Sequence, residues 1–252
     1  MKKIIFLSAI ILLLLSSGFS DAYNLSSSNW NNAFSDDFNR ANSNTVDSAY
    51  YVEKENSVTD CKIYSNTLQL ESTGGIHGNV ALNFSKIVDY VADDFEMIRI
   101  EYDFTQTGLT NCRMGFQSAV AWNVAGYVGT KLAGTKIYWE TSTKFGYVYQ
   151  DNSIAGDLVT ITSGQEINVD LIMNTSNNNL SWYVDDVYIR SAVVGLGGTP
   201  QELYSFTVSD KTGVHYNVDN LNFYYYEPII INITNYNAIQ IFDNNGYKHM
   251  ND

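Results

Sequence analysis

Phe95-Glu96-Met97-Ile98-Arg99-Ile100-Glu101-Tyr102-Asp103-Phe104 is the stretch that decides the fold. Ile98, Ile100, Tyr102 and Phe104 share one parity, and Met97, Arg99, Glu101 and Asp103 share the other. A strand sends alternate side chains to opposite faces, so this run reads as a strand with one apolar and one polar face. Residues 166–173 repeat the device, with Ile167, Val169, Leu171 and Met173 set against Glu166, Asn168 and Asp170. Shorter strands are expected at 67–72, 79–84, 112–120, 135–140, 145–150, 158–162, 180–184, 187–190, 203–208 and 214–226. Gly, Asn, Asp and Ser clusters separate them, and that spacing points to an all-β sandwich or barrel. Only Ser85 to Asp94 offers a short helix.

Two local patterns sharpen this reading. Trp182-Tyr183-Val184-Asp185-Asp186-Val187-Tyr188-Ile189 reads as a hairpin turning at Asp185-Asp186, because Asp tolerates the left-handed conformation such turns use. In the last long strand the apolar parity flips: Val214, Tyr216 and Val218 are even, whereas Leu221, Phe223 and Tyr225 are odd. One face can hold both sets only if a residue is inserted, which predicts a β-bulge near Asp219-Asn220.

The composition supports a folded domain. Of 252 residues, 45% are hydrophobic and 14% aromatic, which excludes an intrinsically disordered chain. Two prolines and 17 glycines exclude collagen-like and Pro-rich classes. The formal charge of −13 argues against a nucleic-acid reader, which needs a basic stripe.

Met1-Lys2-Lys3, the apolar run Ile4 to Leu15, and small residues at Ser20 and Ala22 read as a signal peptide over 1–22, cleaved before Tyr23. The apolar run is short of the ~20 residues that span a bilayer. The mature chain is therefore expected to be secreted or at the cell surface, with no membrane span after cleavage. Residues 23–33 form a polar lead-in, 34–228 the main domain, and 229–252 a C-terminal strand and tail, or the start of a truncated second module. Cys61 and Cys112, about fifty residues apart in segments able to be neighbouring strands, allow either one disulfide or two buried thiols.

Three stretches carry a family resemblance. Phe34-Ser35-Asp36-Asp37-Phe38-Asn39-Arg40 resembles the DDFNR opening strand of exported jelly-roll modules. Leu180-Ser181-Trp182-Tyr183-Val184-Asp185-Asp186 resembles the lYVDG hairpin of laminin-G-like and concanavalin A-like lectin/glucanase domains, with Asp186 in place of Gly. Tyr216-Asn217-Val218-Asp219-Asn220-Leu221 resembles their closing strand. The resemblance brackets residues 34–226 and implies a two-sheet antiparallel jelly-roll sandwich. Its commonest job is carbohydrate binding or surface adhesion. A galactose-binding-like carbohydrate-binding module shares some of these features.

Three chemistries follow as expectations. Asp36, Asp37 and Asp219 sit at the opening and closing strands, where carboxylates suit either a structural Ca²⁺ or turn hydrogen bonds. Residues 122–150 are rich in aromatics, and Trp122, Tyr138, Tyr147 and Tyr149 are candidates for stacking on sugar rings; sheet packing is the alternative use of each. Hydrolysis needs paired carboxylates. Glu101 and Asp103 resemble the first two acids of the glucanase E-x-D-x-(x)-E pattern, but Thr105 and Gln106 stand where the next Glu belongs. Gly75-Ile76-His77 and Lys144-Phe145-Gly146-Tyr147-Val148-Tyr149-Gln150 faintly resemble alginate-lyase motifs, with the segments in the wrong order. The leading expectation is a noncatalytic module whose partner is a glycan or cell-surface polysaccharide. The alternatives are a structural subunit of a surface layer or virion, and a glycan hydrolase or polysaccharide lyase on the same fold.

Overall fold

The computed structural model describes residues 23–26, 29–54, 59–72, 78–87, 95–107, 111–117, 132–137, 144–150, 153–196, 200, 202–208, 214–227, 231–235, 238–242 and 248–250. Its strands are β1 (Trp30–Asp36), β2 (Tyr51–Lys54), β3 (Thr59–Tyr64), β4 (Thr67–Ser72), β5 (Gly78–Asn83), β6 (Met97–Thr107), β7 (Asn111–Gln117), β8 (Leu132–Ile137) and β9 (Lys144–Gln150). They continue as β10 (Ser153–Thr160), β11 (Glu166–Asn174), β12 (Asn179–Val184), β13 (Val187–Val193), β14 (Glu202–Val208), β15 (Val214–Tyr226), β16 (Ile231–Asn235), β17 (Ala238–Phe242) and β18 (Lys248–Met250). The larger sheet has eight strands in the order β13-β12-β11-β6-β15-β4-β3, with β1 also on β15. The second has seven, ordered β10-β9-β8-β7-β14-β5-β2. Every pairing in them is antiparallel. Strands β16, β17 and β18 form a separate three-stranded sheet.

The core lies between the two large sheets. Ile98, Ile100, Tyr102 and Phe104 of β6 are buried, as their alternation requires. Phe104 meets Phe145 of the facing sheet at 5.5 Å between ring centroids. Tyr102 and Thr135 share a buried hydroxyl hydrogen bond of 2.8 Å across the sandwich. Gly115 and Gly134 face each other across β7 and β8. A Cβ on Gly134 would lie 2.1 Å from the Met114 carbonyl oxygen, so only glycine fits there. Trp182 of β12 fills the space above and donates its indole N–H to the Gly134 carbonyl at 2.7 Å.

The predicted bulge is present. Asp219 pairs with Asp103, the next pairing joins Asn222 to Glu101, and Asn220 takes the left-handed conformation at φ 48°. The insertion restores burial on both sides of it: Tyr216, Val218, Leu221 and Phe223 all reach the core. It is also where β15 changes partner on one side, from β4 (through Val218) to β1 (from Leu221). The hairpin turn at Asp185 and Asp186 has φ of 50° and 62°, and Ser65-Asn66 between β3 and β4 repeats those values.

Four expectations change. The opening strand ends at Asp36 rather than continuing to Arg40. The Asp36 and Asp37 carboxylates accept from the Phe38 and Asn39 amides at 2.8 and 3.0 Å, and Phe38 is left-handed, which turns the chain away. The strand also begins inside the polar lead-in, where Trp30 packs edge-on against Tyr226 at 5.2 Å. Of the proposed helix, Phe84–Lys86 is a single 3-10 turn capped by Asn83, and 88–94 lie outside the described residues. Cys61 and Cys112 lie on β3 and β7, in different sheets rather than on neighbouring strands.

Candidate functional site

The polar parity of β6 builds the outer face of the larger sheet. Residues directly opposite across an antiparallel pair share a face. Arg99 therefore lies between Ile172 of β11 and Tyr224 of β15, Glu101 between Asp170 and Asn222, and Asp103 between Asn168 and Asp219. Tyr224 donates its hydroxyl to Glu101 Oε2 at 2.8 Å, and the Arg99 guanidinium sits 4.9 Å above the Tyr224 ring. Asp103 accepts from Asn168 at 2.9 Å and from Asn220 at 2.7 Å. Asn222 accepts from Ser35 of β1 at 2.7 Å. The result is a row of carboxylates, amides and phenol hydroxyls, half-buried and cross-linked, on one side of the sandwich.

At one end this row borders a cavity of about 480 Å³, lined by Tyr23, Asn24, Leu25, Ser26, Arg99, Tyr183 and Asp186. Arg99 is 6% exposed and anchors its floor. Its Nε donates to Asp170 Oδ1 at 2.5 Å, its Nη1 to the Leu25 carbonyl at 3.0 Å, and Glu101 lies 3.4 Å from Nη2. Asp170 is fully buried, and its Oδ2 has no hydrogen-bond partner. Burial pushes its carboxyl up to about 6, against the pull of Arg99, and Glu101 and Asp186 add to the rise. Burial likewise lifts the Tyr183 and Tyr224 phenols to about 12.

Of the aromatic candidates, the structure describes the side chain of Tyr147. Tyr147 is buried at 5%, against the Trp182 ring at 5.3 Å and beneath the Arg190 guanidinium at 3.9 Å. Arg190 also donates to its hydroxyl. Tyr147 is thus a core residue rather than an open sugar platform, because the parity of β9 turns it toward the facing sheet. Trp122 and Tyr138 lie outside the described residues, as do His77 and the Tyr149 side chain.

The three aspartates do not form a calcium set. Asp36 is taken by Arg40 at 2.6 and 3.1 Å, by the Tyr51 hydroxyl at 3.0 Å and by the Phe38 amide. Asp37 binds the Asn39 amide and Asp219 the Asn220 amide, as turn acceptors do. Asp219 is near Asp103, Glu166 and Asp37: burial first, and then these carboxylates, raise its pKa. Among the described residues no group of three or more His, Cys, Asp and Glu side chains is placed to hold a metal ion. Of these aspartates, Asp36 is already paired with an arginine.

The sequence placed Arg99 and Asp170 on polar faces but did not single them out. Their pairing joins residues 71 apart through the β6–β11 register, which no local pattern specifies. The usable signal is a lone arginine and a lone aspartate, each opposite a run of core residues.

No family model matches the sequence, and no curated protein matches it. Solved structures do share its fold. The metal-free Emp46p carbohydrate recognition domain superposes with a TM-score of 0.57 at 12% identity, covering 80% of this chain and 99% of that one. SCLam, described as a non-specific endo-beta-1,3(4)-glucanase from family GH16, gives a TM-score of 0.56 at 11% identity over 80% and 93%. A sialidase gives 0.51 at 9% identity, with 69% of this chain matching only 17% of that one. The chain has the two-sheet antiparallel jelly-roll fold of concanavalin A-like lectin and glucanase domains.

Proposed function

We propose that the chain is an exported, noncatalytic carbohydrate-binding or cell-surface adhesion module. The observation that carries this reading is the cross-linked row of Glu101, Asp103, Asn168, Asn222 and Tyr224 on the outer sheet face, in a fold shared with a carbohydrate recognition domain. Carboxylates, amides and phenols held in fixed geometry suit the hydroxyl groups of a sugar, and the partner is a glycan or cell-surface polysaccharide. The second place for a sugar is the stretch that carries Trp122, Tyr138 and Tyr149, whose rings suit stacking. Glu101 and Asp103 are held by Tyr224, Arg99, Asn168 and Asn220, and Thr105 follows them on the outward parity. That arrangement favours binding over hydrolysis, which requires an acid and a base or nucleophile poised at a set separation. Among the described residues no helix is long and apolar enough to cross a membrane.

The test is a glycan array with residues 23–252, in calcium and in chelator, with a turnover assay on each ligand found. Binding without turnover is the expected result. Loss of at least tenfold in affinity for Glu101→Gln and Tyr224→Ala would place the ligand on the larger sheet. The same loss for Tyr138→Ala and Tyr149→Ala would place it beside the smaller one. A folded sample that binds no glycan and forms a stable oligomer would replace this reading with a structural surface-layer or virion subunit.

A further inference from the structure

We propose that removal of the leader makes Tyr23 the amino terminus of the mature chain, and that its new α-ammonium group locks into the cavity bounded by Tyr183, Asp186 and Arg99. This inference rests on the cleavage position read from the sequence and is independent of any glycan.

The segment 23–26 is already held to the sheet. The Tyr23 backbone nitrogen donates to the Tyr183 hydroxyl, and that hydroxyl lies 3.3 Å from the Tyr23 carbonyl oxygen. Tyr183 is 2% exposed, so the terminal residue reaches a buried partner. Arg99 donates to the Leu25 carbonyl at 3.0 Å, and the Trp30 indole donates to the Asn24 carbonyl at 3.1 Å. Asn24 Oδ1 accepts from the Ser26 amide at 3.1 Å, which tightens the turn. Four successive residues are fixed at the point where the expected leader ends.

Charge decides what this cavity prefers at that atom. The charged and phenolic groups that line it are Arg99 from β6, Tyr183 from β12 and Asp186 from the turn; Asp170 and Glu101 lie against Arg99, and Tyr188 packs on Tyr183. Asp186 is the carboxylate of the lining, while Arg99 is already bound by Asp170 and Glu101, and Asp170 Oδ2 is buried without a partner. With the leader attached, the Tyr23 nitrogen is a neutral amide with a single N–H, which Tyr183 takes. Hydrolysis changes this. Water, directed by a leader peptidase, adds its hydroxyl to the Ala22 carbonyl carbon as the C–N bond breaks, and the nitrogen takes up the protons. Ala22 departs as a carboxylate and Tyr23 keeps an ammonium with three N–H donors and one positive charge. The latch forms only after cleavage, so it distinguishes the processed chain from its precursor.

An α-amino group titrates ordinarily near about 7.7–8.0. Pairing of the ammonium with Asp186, as proposed, would favour its charged form in the folded chain. Its stabilisation is then complete below the unfolded value and disappears as pH rises through the folded value.

The experiment expresses the full chain in an exporting host and identifies the mature terminus by mass spectrometry. The processed protein is then compared with a version carrying one extra glycine before Tyr23 and with one acetylated at Tyr23. Processing at Tyr23 is expected, with a Tm at pH 6 about 3 °C or more above both comparators. That gap closes by about pH 9, and it shrinks in Asp186→Asn. Acylation of the α-amine near pH 7 should run about tenfold slower than in a peptide beginning Tyr-Asn-Leu-Ser, one pKa unit being a factor of ten. Cleavage elsewhere, equal Tm values for the three forms, or acylation at the peptide rate would each overturn the proposal, and none requires a core substitution to fold.

Discussion

The indole nitrogen of Trp182 on the larger sheet donates to the carbonyl oxygen of Gly134 on the smaller one, 2.7 Å away in the fully buried centre of the sandwich. A bond between sheets fixes how they slide relative to one another, which apolar contact alone does not. Trp182→Phe removes the donor and leaves a buried carbonyl acceptor underused, together with a void where the larger ring stood. A loss of about 3 kcal/mol in denaturant unfolding is expected. Gly134→Ala attacks the same place from the other side, since its Cβ would stand 2.1 Å from the Met114 oxygen. It should cost as much or more, and a neutral result would contradict the close approach of β7 and β8.

Asp170 sets an acid-side pH dependence. Its folded carboxyl titrates at about 6, above the ordinary aspartate value near 3.9, so the folded chain holds the extra proton between those limits. Linkage then gives a contribution that favours folding at low pH and is lost as pH rises through about 4 to 6, on the order of 3 kcal/mol in all. Asp170→Asn should flatten that window of the stability profile. It lies well below the window of the amino-terminal latch, so the two are separable in one titration. An unchanged slope in the variant would assign the effect elsewhere.

Asp36 acts as a clamp for the turn after β1. It accepts from Arg40, from the buried Tyr51 hydroxyl and from the Phe38 amide. Asp36→Ala should cost on the order of 2–3 kcal/mol, because the Tyr51 hydroxyl and an amide lose their acceptor together. Asp36→Asn keeps an oxygen acceptor and should cost less. Chelator should leave the Tm of the parent chain unchanged within about 1 °C, since a ligand-free equilibrium gains nothing from removing the ligand. A calcium-dependent rise of several degrees would return these aspartates to a metal.

Asn220 holds the bulge in two ways. Its backbone is left-handed at φ 48°, and its amide donates to Asp103 at 2.7 Å. Asn220→Ala should lose about 1–2 kcal/mol through both. Asn220→Gly relieves the backbone part and loses only the Asp103 contact, so it should fall between parent and alanine. Equal losses for the two variants would mean that the side-chain bond carries the whole effect.

Much of this was legible in the chain because burial leaves a local trace. The alternation in 98–104 and 167–173 named the core faces of β6 and β11, and the parity flip between Val218 and Leu221 named the bulge. Asp185-Asp186 declared its turn through residues that tolerate positive φ. β2 and β3 escaped notice, being short and carrying charged residues such as Glu53 and Lys62 among their apolar ones. The many short strands with punctuating turns pointed to an all-β sandwich or barrel, and the resemblance of three stretches implied the jelly roll.

What the tertiary structure alone decided is which strands lie side by side. Period-two patterning states that a residue faces inward, but not what it faces, because pairing depends on register across distant segments. That is why Tyr147 could be read as a platform and is instead packed against Trp182, and why Asp36 could be read as a metal ligand and is instead bound to Arg40. It is also why Arg99 and Asp170, unremarkable in the chain, meet beneath the 23–26 segment. Local side-chain periodicity is a property of a single strand, whereas a site is a property of several strands brought together by the packing of their shared core.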